Sequence, residues 1–464
     1  MEANAWLERR WDEYLADLSA LIEIPSVSCE TGDPAAPFGE ACAQVLEKSL
    51  EIGARMGFVP HRHEGYCATL LWPGQTDEEI GIFAHMDVVP EGTGWQYPPY
   101  RATVLGDKIV GRGACDDKGP ALSALYALLY LKEQGYVPRH SIRFFFGANE
   151  EAGMKDIDYY VAHARMPAFS FTPDAAFPVC HGEKGVLNLT LTFDVRGGVL
   201  ESLTSGAAKN AVPGLAVCTV RGDGAQIAQA LAGEEAIEVC PAQDGCTITA
   251  HGIASHAAFP EGSRSAQVLL AQALLKLDAL DGKTRRFMEA SVALFGDYYG
   301  AGVGVPLEDA PSGKLTHVGG TAVLKDGMIV QTIDIRYPVT ADHDAMMERL
   351  LATLAGRGFT VTDIRDSRPC YIPKDTPLIG RLTEICNEVL GTDAQPYTMG
   401  GGTYARHLEN AVGYGPGIPG EHHDDFGLGH GGGHQPDEYV TIDKLKKAFT
   451  VYARAIPEMD GMTE

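Results

Sequence analysis

Apolar and polar residues alternate between strand-type and helix-type patterns along the first 180 residues of the chain. Short apolar segments bounded by turn-forming residues predict strands at 67–72, 79–84 and 141–147. Residues 120–134 predict a helix, with Pro120 in its first turn and Gly135 at its end. The first 28 residues fit an amphipathic helix rather than a signal peptide, because charges occur throughout them. This alternation predicts an α/β sheet domain.

The pattern changes near residue 181. Half-buried strands are predicted for LNLTLTFDV, TITAHG and MIVQTIDIRYPV. Amphipathic helices are predicted for SRSAQVLLAQALLKLDAL, with Ser263 as its N-cap, and for HDAMMERLLATLAGRG. A predicted helix at 375–389 returns to the earlier pattern. We therefore expect one domain from residues 1–180 and 372–464, with an α+β domain of residues 181–371 inserted in it.

Length and composition describe an ordinary soluble globular protein of two domains. The chain has 464 residues, of which 45% are hydrophobic and 21% charged. Its net charge of −25 argues against nucleic acid and anionic membranes as partners. No segment approaches the roughly 20 apolar residues of a membrane span. Ten cysteines without a CxxC pair or an export signal predict reduced thiols in a cytoplasmic protein.

The apolar segment IGIFAHMDVVP contains two polar residues, His85 and Asp87, that are costly to bury. Side chains two residues apart share one face of a strand, and both groups fall where this strand ends. A metal-bound imidazole commonly donates its other N–H to a carboxylate, which fixes the orientation of the ring. The two residues therefore predict either a metal ligand with its orienting acid or a hydrogen-bonded structural pair.

Adjacent acids occur at two further points. GRGACDDKGP contains Asp116 and Asp117 in a glycine-rich loop before a helix. Adjacent carboxylates repel each other unless a positive charge lies nearby, which Lys118 or a divalent cation can supply. The alternative is a solvated turn in which Asp117 caps the helix. FFFGANEEAG ends a strand in Glu150 and Glu151, which are either ordinary surface acids or a general base beside a metal ligand.

Two later loops contain the remaining candidate ligands. FTPDAAFP places Asp174 among aromatic and proline residues, where it is either a turn residue or a ligand. GHGGGHQPDE offers His430 and His434, and the glycines between them exclude the helical spacing of an HExxH zinc site. Together, the acids and imidazoles of these segments suit two zinc-like ions about 3.5–4 Å apart that share one acid.

The combination of motifs resembles the M20 family of co-catalytic metallopeptidases. Within that family it is most similar to the PepV-type dipeptidases, which include Xaa-His dipeptidases and carnosinases. The resemblance covers residues 18 to 439 approximately and rests on AHMDVVPEGTGW, GRGACDDKGP, FFFGANEEAG, FTPDAAFP, GEKG and GGGTYAR. It implies a zinc-peptidase-like catalytic domain, with a mixed sheet flanked by helices, and an inserted α+β lid domain.

The resemblance also implies roles for the candidate residues. Those that match the ligands of two divalent ions are His85, Asp116, Glu151, Asp174 and His434. Asp116 matches the bridging ligand, and family members have a cis peptide bond after it. Asp87 matches the acid that orients His85, and Glu150 matches the general base. In the long glycine- and histidine-rich segment, His422, His423 and His430 could each take the place of His434.

Residues of the inserted domain and of the GGGTYAR loop match substrate contacts. His256 matches the histidine that stabilises the tetrahedral oxyanion. Asn210 aligns with a polar substrate or oxyanion contact, and Arg336 with an arginine that grips a substrate carboxylate. The backbone N–H groups that can hold the same carboxylate belong to Gly401, Gly402 and Thr403.

The implied activity is hydrolysis of dipeptides with an unblocked N-terminus, using two divalent ions per chain. Zn²⁺ is the expected metal, with Mn²⁺ or Co²⁺ as alternatives. The nearest alternative activity is that of an M20 amidohydrolase acting on N-acyl amino acids, of the acetylornithine deacetylase or succinyl-diaminopimelate desuccinylase type. A non-catalytic metal-binding protein is a third hypothesis, against which Glu150 argues because a base serves no purpose without an activated water. The long lid favours the dipeptidase branch, and a monomer over a homodimer.

Overall fold

A computed structural model describes residues 2–278, 280–418 and 425–463. The chain divides into two compact units. Unit 1 comprises Met1–Gly182, Cys370–Thr398 and Gly402–Glu464, and unit 2 comprises Glu183–Pro369 and Met399–Gly401. Among the described residues, no helix combines the length and the apolarity needed to cross a bilayer.

Unit 1 begins with alternating helices and strands. The helices of its first segment are α1 (Glu2–Arg9), α2 (Trp11–Ile22), α3 (Glu40–Arg55), α4 (Lys118–Glu133) and α5 (Lys155–His163). The strands are β1 (Val59–His63), β2 (Cys67–Trp72), β3 (Thr76–His85), β4 (Thr103–Leu105), β5 (Lys108–Val110), β6 (His140–Gly147), β7 (Phe169–Thr172) and β8 (Cys180–Glu183). The strands predicted from the apolar segments lie in β2, β3 and β6.

Unit 2 is an antiparallel sheet with helices. Its strands are β9 (Gly185–Asp194), β10 (Leu200–Ser205), β11 (Leu215–Arg221), β12 (Ile237–Ala242), β13 (Gly245–His251), β14 (Glu308–Asp309), β15 (Gly313–Lys314), β16 (Thr316–Lys325), β17 (Met328–Tyr337) and β18 (Thr360–Ser367). Its helices are α6 (Gly224–Ala230), α7 (Ala266–Leu274), α8 (Gly282–Phe295) and α9 (His343–Gly356). The main sheet runs in the order β12–β13–β11–β10–β16–β17–β9–β18.

The chain then completes unit 1. The remaining elements are β19 (Cys370–Tyr371), α10 (Pro377–Leu390), β20 (Tyr397–Met399), a 3₁₀ helix (Tyr404–His407), β21 (Ala411–Gly413), β22 (Tyr439–Thr441) and α11 (Ile442–Met462). The sheet runs in the order β1–β2–β6–β3–β7–β21–β8–β19. β3 is parallel to β6 and β7, whereas β2 is antiparallel to β1 and β6. The expected α/β class with a mixed sheet is confirmed.

Helix α4 lies at the centre of the unit 1 core. Apolar residues such as Leu122, Leu125 and Tyr126 are fully buried around its circumference. A helix that is apolar on all sides needs neighbours on all sides, and α2, α11 and the sheet strand β3 supply them. Gly135 follows the helix with φ of 79°, a left-handed conformation that glycine adopts without strain. The prediction from residues 120–134 is confirmed.

Two local predictions were wrong. The amphipathic N-terminal segment forms two helices, α1 and α2, rather than one. The N-cap of α7 is Ser265, whose Oγ accepts the Val268 N–H at 3.4 Å, and not Ser263. The Ser263 hydroxyl instead donates to the Pro260 carbonyl at 2.5 Å. Serine readily forms either kind of local hydrogen bond, so the sequence pattern did not distinguish the two positions.

The carboxylate of Asp460 anchors the end of α11 beside the start of β6. It accepts hydrogen bonds from the Tyr136 hydroxyl at 2.6 Å and from the backbone N–H groups of Arg139 and His140 at 2.7 and 2.8 Å. His140 Nδ1 lies 2.9 Å from the same carboxylate. Burial raises the pKa of Asp460, but these hydrogen bonds outweigh burial and leave that pKa below its ordinary value.

We expect Asp460→Ala to lower the free energy of unfolding by about 3–5 kcal/mol, because it leaves buried donors unsatisfied. The native pKa of Asp460 is lowered, so the stabilisation should be complete above about pH 4 and lost as the pH falls through the lowered pKa. Urea denaturation between pH 3 and 7 measures both effects. Asp443→Ala is the control, since that carboxylate is exposed beside Lys447, and should cost less than about 1 kcal/mol. Equal losses in the two variants would contradict the prediction.

Candidate metal centre

The carboxyl ends of parallel strands bring polar side chains to one edge of the unit 1 sheet. His85 is the last residue of β3, and it pairs with Gly147 at the end of β6. Glu150 and Glu151 follow β6 closely, and Asp174 follows β7 by two residues. Because β3, β6 and β7 are parallel, these residues leave the sheet at the same edge. Sheets of this class place functional groups at that edge.

Asp116 reaches the same edge from the loop before α4. The peptide bond after Asp116 is cis, as the family resemblance implies. His85 Nε2 lies 3.0 Å from Asp116 Oδ1 and 4.0 Å from Asp174 Oδ2. His434 Nε2 lies 3.1 Å from Asp116 Oδ2 and 2.8 Å from Glu151 Oε1. Asp116 thus presents one carboxylate oxygen to each imidazole.

These side chains form two groups whose ligand atoms lie close enough to hold a metal ion. The groups are His85, Asp116 and Asp174, and Asp116, Glu151 and His434. In each group, one ligand atom from every residue lies within 4.8 Å of the others. Imidazole nitrogens and carboxylate oxygens suit zinc, manganese and cobalt ions. The donor set therefore fits divalent metal ions, and Asp116 belongs to both groups.

The imidazoles and carboxylates shift one another's pKa values strongly. Hydrogen bonds to Asp116 and Glu151 raise the pKa of His434 to about 11. Burial lowers the pKa of His85, but Asp116 and Asp87 outweigh burial and raise it well above its ordinary value. Burial raises the pKa of Asp116, but the two histidines lower it overall. Because histidine ligands must be deprotonated, a bound ion displaces these imidazole protons.

The Asp87 carboxylate holds part of the backbone of residues 148–151, here named loop 148–151. Its two oxygens accept the N–H groups of Glu150 and Glu151, each at 3.1 Å. His85 Nδ1 lies 2.9 Å from the backbone carbonyl oxygen of Asp87 and 3.6 Å from its carboxylate. The main chain of Asp87, rather than the carboxylate expected from the sequence, therefore makes the closer contact with the His85 ring.

A second buried carboxylate, Asp156, holds the other half of loop 148–151. Its Oδ2 accepts the N–H groups of Ala148 at 2.6 Å and Asn149 at 2.8 Å. The Tyr404 hydroxyl donates to the same oxygen. Asp156 was not predicted as a site residue, because an acid in the first turn of a helix is ordinary and its partner Tyr404 belongs to a distant segment.

Glu150 lies among other acids. Burial raises the pKa of its carboxyl group, the charge of Asp174 raises it further, and the result is well above the ordinary value. Its backbone N–H is held by Asp87. Clustered acids favour the protonated form of a carboxyl group when no cation lies beside them.

Glu438 fixes the loop that carries Asp116. Its Oε1 accepts the backbone N–H groups of Gly113 and Cys115, both at 3.0 Å, and of Asp116 at 3.2 Å. Its Oε2 lies 2.6 Å from the Arg112 guanidinium, and both side chains are buried. This support could not be predicted from the sequence, because Glu438 is separated from the loop by most of the chain.

Lys118 and Asp117 differ from their expected roles. Lys118, a possible partner for the adjacent acids, instead donates to the carbonyls of Leu21 and Ile24 at 2.8 and 3.0 Å. Asp117 occupies the N-cap position of α4, but its side chain makes no capping hydrogen bond. The Asp117 carboxylate lies 3.4 Å from the backbone nitrogen of His85. The two adjacent acids therefore have different partners: Asp116 faces two imidazoles, whereas Asp117 lies beside a backbone nitrogen.

His430 is engaged elsewhere. Its Nδ1 lies 2.7 Å from the buried carboxylate of Asp437, whose other oxygen accepts the backbone N–H of Gln96. His430 belongs to neither ligand group, whereas His434 belongs to the group with Asp116 and Glu151. His422 and His423, which the sequence also offers as candidate ligands, lie outside the described residues.

Unit 2 brings together several predicted substrate contacts. Asn210 Nδ2 lies 3.4 Å from His256 Nε2. Arg336 donates to both carboxylate oxygens of Asp334 at 2.6 and 2.9 Å, and to the Gly400 carbonyl at 3.0 Å. Burial lowers the pKa of His256, and the charge of Arg336 lowers it further. Asp334 was not predicted as a site residue, although the DIRYP motif contains it.

The GGGTYAR loop is shared by the two units. Gly401 belongs to unit 2, whereas Gly402 and Thr403 belong to unit 1. Thr403 Oγ1 accepts the backbone N–H of Ala405 at 3.2 Å, and so caps the 3₁₀ helix that follows. The predicted substrate-binding residues thus lie next to a structured turn.

Comparison with known proteins identifies relatives over nearly the whole chain. The model of peptidase family M20/M25/M40 matches residues 81–458. The protein YtjP of Bacillus subtilis (strain 168) is 33% identical over 470 residues, covering 97% of this chain and 98% of that protein. The Beta-Ala-Xaa dipeptidase of Lactobacillus delbrueckii subsp. lactis is 30% identical over 480 residues, covering 97% of each chain.

Solved structures share the fold. The M20 family metallo-carboxypeptidase Sso-CP2 from Sulfolobus solfataricus matches with a TM-score of 0.58 and 16% identity, covering 97% of this chain and 100% of that one. At this identity the similarity concerns the architecture.

We expect His434→Ala to weaken Zn²⁺ binding at one ligand group by at least about tenfold, because it removes one of three donors. His430→Ala should leave Zn²⁺ affinity unchanged, since His430 contacts Asp437 rather than a ligand group. Zn²⁺ titration of the apoprotein by calorimetry compares the two variants. A larger loss of affinity in His430→Ala would show that the ligand assignment is reversed.

Proposed function

The chain belongs to peptidase family M20/M25/M40, and we propose that it is a metal-dependent dipeptidase acting on dipeptides with a free N-terminus. The observation that carries the proposal is the pair of ligand groups sharing Asp116, with Glu150 beside Glu151 at the same strand end. The Beta-Ala-Xaa dipeptidase, aligned over nearly its full length, supports the substrate class.

The two ligand groups would hold two divalent ions per chain. His85, Asp116 and Asp174 would bind one ion, and Asp116, Glu151 and His434 the other. Zn²⁺ is the metal we propose, and Mn²⁺ or Co²⁺ suits the same donors. When bound, the ions supply Lewis acidity, which polarises a carbonyl group and lowers the pKa of water.

Glu150 is proposed as the general base. Its carboxylate takes a proton from the attacking water, whose oxygen forms a bond to the carbonyl carbon of the scissile amide. The same carboxyl group then gives this proton to the amide nitrogen, the C–N bond breaks, and the amine leaves. The backbone N–H of Glu150 is held by Asp87, which limits the positions that the carboxylate can adopt.

Unit 2 is proposed as a lid that supplies substrate contacts. His256 and Asn210 would stabilise the oxyanion of the tetrahedral intermediate. Arg336 would bind the substrate carboxylate, assisted by N–H groups of the GGGTYAR loop. Asp334 and Gly400 together accept three N–H groups of the Arg336 guanidinium. A guanidinium has five, so these two partners leave two for a substrate carboxylate. Because one chain carries so long a lid, we also propose that the protein is a monomer. Its free cysteines support a location in the cytoplasm.

A substrate panel tests the proposed activity. With Zn²⁺ or Mn²⁺, the purified protein should hydrolyse unblocked dipeptides, and N-acetylation of the same dipeptides should slow hydrolysis at least about a hundredfold. Metal analysis of the same sample should find two ions per chain. Hydrolysis of N-acyl amino acids with no turnover of dipeptides would identify an amidohydrolase instead, and inactivity on both classes would refute the proposal.

We expect Glu150→Gln to lower kcat by about 10²–10⁴-fold while leaving metal content unchanged, because the amide keeps the shape of the side chain but cannot accept the proton. Steady-state kinetics and metal analysis measure the two effects. Glu51→Gln is the matched control, since Glu51 is exposed on α3 and pairs with Lys48. A loss of metal in Glu150→Gln would identify Glu150 as a ligand, and unchanged turnover would rule out its role as the base.

A further inference from the structure

We propose that Tyr404 and Asp156 are positioning residues for the reaction, acting together to fix loop 148–151 and hence the carboxylate of Glu150. The inference rests on the proposed function for its kinetic consequences. Its structural part concerns only the hydrogen bonds of unit 1 and can be tested without any substrate.

The four backbone N–H groups of loop 148–151 all donate to carboxylate oxygens. Asp156 accepts the N–H groups of Ala148 and Asn149, and Asp87 accepts those of Glu150 and Glu151. Hydrogen bonds to ionised acceptors are stronger than neutral ones. Consecutive backbone groups therefore converge on two fully buried acids, which leaves the loop little freedom to move.

The Tyr404 hydroxyl is the side-chain donor that holds Asp156 in this position. It donates to Asp156 Oδ2, the same oxygen that accepts the N–H groups of Ala148 and Asn149. The other oxygen, Oδ1, accepts the N–H of Ile157 at 2.7 Å. The Asp156 carboxylate is thus held through both oxygens, one by a backbone N–H of its own helix α5 and the other by the Tyr404 hydroxyl.

The Tyr404 hydroxyl occupies the space beside Gly147 that a side chain at that position would need. A Cβ atom on Gly147 would lie 1.8 Å from the Tyr404 hydroxyl oxygen and 2.5 Å from Asp156 Oδ2. Gly147 pairs with His85 across the β3–β6 ladder, so the hydroxyl lies beside the strand ends that carry the metal centre. The Tyr404 ring packs edge-on against Phe145 with ring centroids 5.4 Å apart.

Tyr404 also connects two loops of the site. It begins the 3₁₀ helix that follows the GGGTYAR glycines, and its hydroxyl reaches the acid that holds loop 148–151. Among the described residues, removal of the hydroxyl leaves Asp156 with backbone donors only. Loop 148–151 should then sample more positions, and Glu150 should spend less time in the reactive one.

Tyr404→Phe tests the proposal, because it removes the hydroxyl oxygen alone. Hydrogen–deuterium exchange of loop 148–151 should become about tenfold faster. The kcat for an unblocked dipeptide should fall about tenfold, while KM and metal content should change less than twofold. Asp156→Asn should give a similar result, and the double variant should lose no more activity than the worse single variant, because the two residues act as one unit.

Tyr414→Phe is the matched control. Tyr414 is fully buried in unit 1, and its hydroxyl donates to the Leu382 carbonyl at 3.0 Å. Tyr414→Phe should lose about as much stability as Tyr404→Phe, because each removes one buried hydroxyl. It should not change kcat or the exchange of loop 148–151. If Tyr404→Phe does not fold, Asp156→Asn carries the same measurements.

Three results would overturn the inference. Unchanged exchange of loop 148–151 in Tyr404→Phe would show that the hydroxyl does not fix it. A raised KM with an unchanged kcat would place the hydroxyl in substrate binding, and equal effects in Tyr414→Phe would indicate general destabilisation. If the wild-type protein cleaves no dipeptide, the proposed function fails, and the exchange measurement alone decides whether Tyr404 and Asp156 hold the loop.

Discussion

Several buried or half-buried carboxylates lie at one edge of the unit 1 sheet, and the groups that satisfy their charges determine the geometry of the site. A buried negative charge is costly unless donors or cations satisfy it. Asp87 and Asp156 are satisfied by backbone N–H groups of loop 148–151. Asp116 and Glu151 are half-buried and face imidazoles instead. The first kind of acid shapes the backbone, whereas the second kind can exchange the proton of its histidine partner for a metal ion.

Interactions between residues close together in the chain could be predicted from the sequence, whereas interactions between distant residues could not. His85, Glu151 and Asp174 could be proposed as candidate ligands because ligand-type residues follow apolar strands, which is a local signal. Asp156 and Tyr404 are 248 positions apart, and neither segment shows that they meet. Strand β18 was also missed, because most of its residues are exposed and carry no alternating pattern. Long-range hydrogen bonds and exposed edge strands leave no trace in local periodicity.

Choices between similar neighbours were decided by contacts that the sequence does not display. Ser263 and Ser265 are both plausible caps, and the Pro260 carbonyl engages the first of them. His430 and His434 are both plausible ligands, and Asp437 engages the first of them. In each case a competing partner distinguishes two residues of the same type: Ser265 caps α7, and His434 belongs to a candidate ligand group.

The chain order of the two units has a consequence for biosynthesis. Unit 2 is almost continuous, whereas unit 1 needs segments from both sides of it. In the unit 1 sheet, β21 lies between β7 and β8, although it is translated long after both. A ribosome adds about 5–20 residues per second, so the nascent N-terminal segment keeps unpaired strand edges until Ala411 has emerged. Such edges invite misassociation, and chaperone protection should matter most during that interval.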